Sequence, residues 1–237
     1  MGNKSEPLWA IVPAAGVGKR MRGQTPKQYL PLCGKSVLEH TLDRLLSFDD
    51  VCGVILVLQS EDYHWEALKY EAKKPLVITT GGIERQHSVF NGLLKLLELE
   101  AGDSMVMIHD AVRPLVLRRD LERLIKSAKI NPAGAILGVP LLDTLKRQGE
   151  DTKIVETVAR TNLWRALTPQ LFSIKLLNRA LTHVMENDLN ITDDAAAVEA
   201  LGMRPSLVAG SAENIKITHP QDLILAAQIM QRQDQGA

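Results

Sequence analysis

The chain has 237 residues, 45% hydrophobic and 24% charged, which suits one α/β domain with a sizeable core. Lys plus Arg and Asp plus Glu both number 28, so no net field draws it to nucleic acid or a membrane, although a local basic cluster suffices for a phosphorylated ligand. Cys33 and Cys52 form no CxxC pair, the N-terminal MGNKSEPLWAIV has no signal-peptide core, and no apolar run nears the roughly 20 residues of a membrane span, so a cytoplasmic protein with reduced thiols is predicted.

The first predicted strand is Leu8 to Val12. Ser36 with Glu39 predicts a capping box, opening a helix with Val37, Leu38, Thr41, Leu42 and Leu45 on one face. Strands follow at Gly53 to Leu58 and Leu76 to Thr79, then a helix from about Glu84 to Leu99. A strand at Met105 to Ile108, a helix from about Arg119 to Lys129 and a strand at Ala135 to Val139 continue the alternation. Ser173 opens another helix, Thr192 is expected to cap one that begins with Asp193 and Asp194, and Gly202 stops it. Pro220 begins a final amphipathic helix ending near Gln231. Strands apolar on both faces, alternating with helices, predict a single-domain α/β fold with a mostly parallel, Rossmann-like sheet and covering helices over residues 1–237.

One stretch breaks this rhythm. From Pro140 to Arg160, two polar-apolar alternating runs flank Gly149-Glu150-Asp151, the pattern of a β-hairpin. It is too polar for a core and is expected to project as an arm that grips a second subunit, giving a homodimer.

Three local blocks carry the chemistry. Pro13-Ala14-Ala15-Gly16-Val17-Gly18-Lys19-Arg20-Met21, then Pro26-Lys27-Gln28, follows the first strand. Small residues let backbone N–H groups approach phosphate oxygens, and Arg20 and Lys27 add fixed charge. A dinucleotide fingerprint is excluded because Met21 stands at its third glycine, and a GxxxxGK[ST] loop is absent. Gly81-Gly82-Ile83-Glu84-Arg85-Gln86-His87-Ser88 ends a strand and opens a helix; alone it is a plain β–α turn. His109-Asp110-Ala111-Val112-Arg113-Pro114 follows the strand MVMI, where the crevice of an open α/β sheet lies; alone, Asp110 and Arg113 make a local ion pair. His40, His64, His87, His109, His183 and His219 lack metal-ligand spacing, and no HExxH or GxSxG occurs.

Together with Asp143-Thr144, Arg160, Leu167-Thr168-Pro169-Gln170, Thr192-Asp193-Asp194 and Asn214-Ile215-Lys216-Ile217-Thr218, these blocks resemble, in order and from Pro13 to Thr218, the nucleotidylyltransferase family that cytidylylates 2-C-methyl-D-erythritol 4-phosphate in the non-mevalonate isoprenoid pathway. The resemblance implies a nucleotidyltransferase sheet. It implies that Pro13, Ala14, Ala15, Gly16, Gly18, Gly82, Ser88 and Ala111 hold CTP, and that Arg20, Lys27, Lys216 and Arg160 are catalytic. It implies that Asp110, Arg113, Thr144, Arg160, Thr168, Thr192 and Lys216 bind the polyol phosphate. Mg²⁺ bridging the CTP phosphates is implied, with Asp110 as a candidate ligand, and the arm's Thr144 and Arg160 are offered to the partner subunit's site. The family often carries an acid where Ile83 stands; recognition through the backbone survives that change, and recognition through the side chain does not. His109 is read as structural, because a phosphate nucleophile needs no histidine. Two other functions stay open: a ribitol 5-phosphate cytidylyltransferase and a non-catalytic nucleotide-binding regulator.

Overall fold

The computed structural model describes residues 7–16, 25–99 and 104–235. Strand β1 (Leu8–Pro13) leads to a 3-10 turn at Lys27–Tyr29, a small hairpin of β2 (Pro31–Leu32) and β3 (Lys35–Ser36), and helix α1 (Val37–Leu46). Next come β4 (Val51–Leu58), α2 (Tyr63–Leu68), β5 (Leu76–Thr80), α3 (Arg85–Glu98), β6 (Met105–Ile108), α4 (Arg118–Ile130) and β7 (Ala135–Pro140). The remainder is a hairpin of β8 (Leu145–Gln148) and β9 (Ile154–Val158), then β10 (Trp164–Ser173), α5 (Ile174–Glu186), α6 (Asp194–Ala200), β11 (Ser206–Ala209) and α7 (Pro220–Gln235). No helix among the described residues is long and apolar enough to cross a membrane.

Seven strands form one sheet in the order β11-β7-β10-β6-β1-β4-β5. The pairs of β1 with β4 and β6, of β4 with β5 and of β11 with β7 are parallel, and β10 runs antiparallel between β6 and β7. Successive residues of a strand face opposite sides. Ala10, Val12, Val54, Leu56 and Met107 therefore pack with Leu38 and Leu42 of α1 and Leu121 and Leu124 of α4. Ile11, Ile55, Val57, Val106 and Ile108 pack on the other face with Val89 and Leu93 of α3 and Leu177 and Leu181 of α5. Both faces are covered, which is why these strands are apolar throughout. A third cluster seats Ala226, Ile229 and Met230 of α7 against Leu32, Val37, Val112, Leu115 and Ile217.

The predicted capping box is present: Ser36 Oγ accepts from Glu39 N–H at 3.2 Å, and Glu39 Oε2 accepts from Ser36 N–H at 2.7 Å. Thr192 does not cap α6. Asp193 does, its Oδ1 accepting from Ala196 N–H at 3.0 Å, because a carboxylate is the stronger acceptor beside a helix N-terminus. Helix α7 runs to Gln235, past the expected end near Gln231, since nothing in the intervening sequence breaks a helix. Strands β10 and β11 and helix α2 were not anticipated by the sequence.

The hairpin of β8 and β9 is a separate two-stranded sheet, paired from Leu145–Val158 to Gln148–Ile154. Its Ile154 and Val155 are 64% and 65% exposed.

Candidate active site

From β1 the chain turns toward β4 and β5, then returns to place β6 on the other side of β1. The strand order reverses there, and a crevice opens beyond the carboxyl ends of the parallel strands. It contains a cavity of about 390 Å³, walled by the loop Pro13–Gly16, Lys27 and Gln28, the turn through Gly82 with Ser88 behind it, Asp110 and Ala111, and Lys216.

The loop after β1 is pinned from two directions. Ala14 N–H donates to Val57 O at 2.8 Å. The buried side-chain amide of Gln28 donates to Ala14 O at 2.7 Å and to Gly16 O at 3.2 Å. Across from it, Gly81 N–H donates to Leu58 O at 2.7 Å, Gly82 N–H to Ser88 Oγ at 3.2 Å, and the Ser88 hydroxyl to Glu84 O at 3.2 Å. A Cβ on Gly81 would stand 2.5 Å from Ala15 Cβ and 2.8 Å from Ser88 Oγ, so glycine alone allows the turn to lie against the loop. Ile83 sits at the rim, its side chain wholly exposed.

The opposite wall is ionic. Asp110 is 7% exposed. Its Oδ2 lies 3.0 Å from Arg113 Nε and 3.0 Å from Lys216 Nζ, and its Oδ1 lies 3.5 Å from Arg85 Nε. Burial alone would raise the Asp110 pKa, but Lys216, Arg85 and Arg113 hold it well below the usual carboxylate range. Arg85 also clasps the fully buried Asp194 with two hydrogen bonds, at 3.1 and 2.8 Å. Burial pushes the Asp194 carboxyl up against the pull of Arg85. Burial opposes the Arg85 charge, yet Asp194 and Asp110 keep that guanidinium firmly protonated. Arg85, Arg113 and Lys216 thus share Asp110 and Asp194, with Asp193 also acting on Arg85, and this paired network holds Lys216 and Arg85 at the cavity wall.

Beneath this wall, His109 and Thr168 form a frame. His109 Nε2 meets Arg113 O at 2.9 Å; a carbonyl only accepts, so the ring proton is on Nε2 and Nδ1 carries a lone pair. The Thr168 hydroxyl donates to Nδ1 at 3.0 Å and accepts from Asp110 N–H at 3.0 Å. Burial lowers the His109 pKa to about 4, so the ring is neutral.

The fold thus brings Pro13, Ala14, Ala15, Gly16, Lys27, Gly82, Ser88, Asp110, Ala111 and Lys216 to one cavity. Arg113 stands behind Asp110 and donates to Asn214 O at 2.7 Å. The Thr168 hydroxyl is buried and engaged as described. Thr192 is exposed in the turn before α6, and Thr144 and Arg160 are exposed on the arm, where Arg160 Nη1 donates to Leu142 O. Gly18 and Arg20 lie outside the described residues. Sequence reasoning missed Arg85, Asp194 and Gln28 as parts of this site. The signal for Arg85 was its place four residues after Gly81; that for Gln28 was its adjacency to Lys27.

Among the described residues no three His, Cys, Asp or Glu side chains gather as a metal site. Asp110 fits a magnesium ligand poorly, because both its oxygens already face cations.

Residues 8–232 match the model of the 2-C-methyl-D-erythritol 4-phosphate cytidylyltransferase family. A protein of that name from Pseudomonas aeruginosa is 46% identical over 218 residues, covering 92% of this chain and 93% of that protein. One from Hahella chejuensis is 45% identical over 225 residues, covering 95% and 93%. Among solved structures, a 4-diphosphocytidyl-2C-methyl-D-erythritol synthase superposes with a TM-score of 0.83 at 37% identity, over 95% of this chain and 99% of that one. The Francisella tularensis 2-C-methyl-D-erythritol 4-phosphate cytidylyltransferase gives 0.81 at 32% identity, over 94% and 99%. Extended over nearly the whole of both chains, this similarity and the cavity at the switch point agree: the chain belongs to the 2-C-methyl-D-erythritol 4-phosphate cytidylyltransferase family.

Proposed function

We propose that this enzyme transfers the cytidylyl group of CTP to 2-C-methyl-D-erythritol 4-phosphate, forming 4-diphosphocytidyl-2-C-methyl-D-erythritol and releasing pyrophosphate in the cytoplasm. The observation that carries this reading is one cavity with a backbone loop on one wall and Lys216, Arg85 and Asp110 on the other. Glycines and partly exposed cations suit two phosphorylated substrates, and a general base is not required. The second pKa of a phosphate monoester is ~6, so the attacking group is already anionic at neutral pH.

The nucleophile is a substrate phosphate oxygen, which forms a bond to the α-phosphorus as the bond to pyrophosphate breaks. The obstacle is repulsion between anions, and catalysis consists of positioning and charge neutralisation. Lys27 acts at the loop side of the cavity and Lys216 at the opposite side. Asp110 holds Lys216 in place, and Arg113 and Arg85 brace Asp110. His109 and Thr168 fix the Asp110 backbone from below. Mg²⁺ accompanying CTP would neutralise part of the phosphate charge; Asp110, whose oxygens already face Arg85, Arg113 and Lys216, fits it poorly as a ligand. Thr144 and Arg160, away from the cavity of their own chain, reach the polyol phosphate bound by the partner in a homodimer.

The test is pyrophosphate release with CTP, UTP, ATP and GTP, each paired with 2-C-methyl-D-erythritol 4-phosphate or ribitol 5-phosphate. The expected outcome is the highest kcat/KM for CTP with the methylerythritol substrate. Preference for ribitol 5-phosphate would reassign the polyol, and no release with any pair would leave a nucleotide-binding regulator.

A further inference from the structure

The 3-10 turn Lys27–Tyr29 carries three differently engaged side chains in succession. Pro26 sets the entry at φ −58 and ψ 141, and Tyr29 N–H closes the turn on Pro26 O at 2.9 Å. The Tyr29 hydroxyl donates to Asp62 Oδ2 at 2.7 Å, and its ring stacks on His64 at 5.2 Å. Lys27 lines the cavity. Between them Gln28 is 2% exposed, with Nε2 2.7 Å from Ala14 O and 3.2 Å from Gly16 O.

A glutamine amide has two N–H donors, and here two loop carbonyls receive them. In a planar trans peptide the C=O of one residue and the N–H of the next point in opposite directions. Turning Ala14 O toward Gln28 therefore turns the Ala15 N–H away from Gln28. The same bonds set the separation between the loop and the turn that carries Lys27. A hydrocarbon of similar size in this place would leave two carbonyls without their donor and the loop peptides free to rotate.

We propose that Gln28 is a positioning residue for the nucleotide: by holding the carbonyls of Ala14 and Gly16 it aims the loop amides at the nucleotide phosphates and fixes Lys27 relative to them. This rests on the reading of the Pro13–Gly16 loop as part of the CTP site.

Two variants test it in the full-length enzyme. Gln28→Glu keeps the shape and, when ionised, opposes two carbonyl oxygens with acceptors only; protonation restores one donor. Gln28→Leu has no donor at any pH and introduces no charge, so it remains informative if the first variant folds poorly. In both, KM for CTP is expected to rise about tenfold or more, with KM for the polyol phosphate within about twofold of wild type. Relative to wild type, kcat/KM for CTP should recover in Gln28→Glu as pH falls from about 8 to about 5.5, while Gln28→Leu stays low, because only the carboxyl gains a proton to donate. Unchanged KM for CTP in both variants, a rise confined to the polyol phosphate, or parallel pH profiles would overturn the proposal. A wild type whose melting temperature is not raised by CTP would overturn the nucleotide reading of the loop, and this inference with it.

Discussion

At the scale of single residues, His109 shows how a buried polar group is kept without doing chemistry. It is fully buried between Arg113 O and the Thr168 hydroxyl, and the neutral ring satisfies both. Its pKa is 6.5 in an exposed chain and about 4 in the fold. Between those values the unfolded chain binds a proton that the native state excludes. The resulting stability is fully present above pH 6.5 and is lost as pH falls toward about 4, where the native ring also protonates. A shift of this size corresponds to about 3 kcal/mol. Asp110, held below the usual carboxylate range, adds a further loss only once pH falls below its unfolded value of 3.8. His109→Gln removes the titration and keeps a donor. Its melting temperature should be lower than wild type at pH 8, and its decline between pH 6.5 and about 4 should be shallower. Parallel melting curves across that window would show that His109 does not set this sensitivity.

At the scale of elements, what was legible depended on how locally each signal is written. Strands β1, β4, β6 and β7 are largely apolar runs and β5 opens with one, and the bounds of all five came within two residues. Strand β10 was hidden because Arg165, Thr168, Pro169 and Gln170 interrupt its apolar residues, and proline within a run argues against a strand. Its pairing with β7 shifts register between Ala166 and Gln170, which frees Thr168 to turn its hydroxyl to His109 and its carbonyl to Asn214 Nδ2. The glycine loop and the His109–Arg113 block were legible because each sits within a few consecutive residues. The Arg85–Asp194 pair was not, because 109 positions separate its members and only the tertiary packing, with α3 and α6 both against α5, brings them together. Gly92 gives a test of how α3 seats on the sheet. Helix propensity alone says that Gly92→Ala should stabilise α3 by ~1 kcal/mol. A Cβ there would lie 2.8 Å from Ile11 Cγ2 and 2.9 Å from Val57 Cγ2, two fully buried β-branched side chains with little rotamer freedom. Overpacking costs about 1–3 kcal/mol, so the variant should be less stable in urea denaturation. A net gain would mean that α3 rides more loosely on the sheet than these distances state.

At the scale of the molecule, the arm argues for a site completed by a second chain. A two-stranded hairpin is marginal in water by itself, and β8 and β9 leave Ile154 and Val155 mostly exposed, with Leu142 at the base 79% exposed. Closed two-fold dimers are the commonest oligomers, and a two-fold axis lets two arms exchange reciprocally. Arg160, exposed and away from the cavity of its own chain, would then lend a guanidinium to the phosphate bound by the other, a bidentate geometry that arginine favours. Lys27→Ala and Arg160→Ala should each form inactive homodimers, the first through loss of transition-state stabilisation, costing about 10²–10³ in rate, and the second through loss of polyol-phosphate affinity. In a mixed dimer, one site lacks both residues and the other has Lys27 from one chain and Arg160 from its partner. Equal mixing with free exchange makes about half the dimers mixed, and about a quarter of wild-type activity should return. Subunit exchange is verified by co-purification of a tagged chain with an untagged one. Confirmed exchange without recovered activity, or a fully active monomer in sedimentation, would mean that Arg160 serves only its own chain or none.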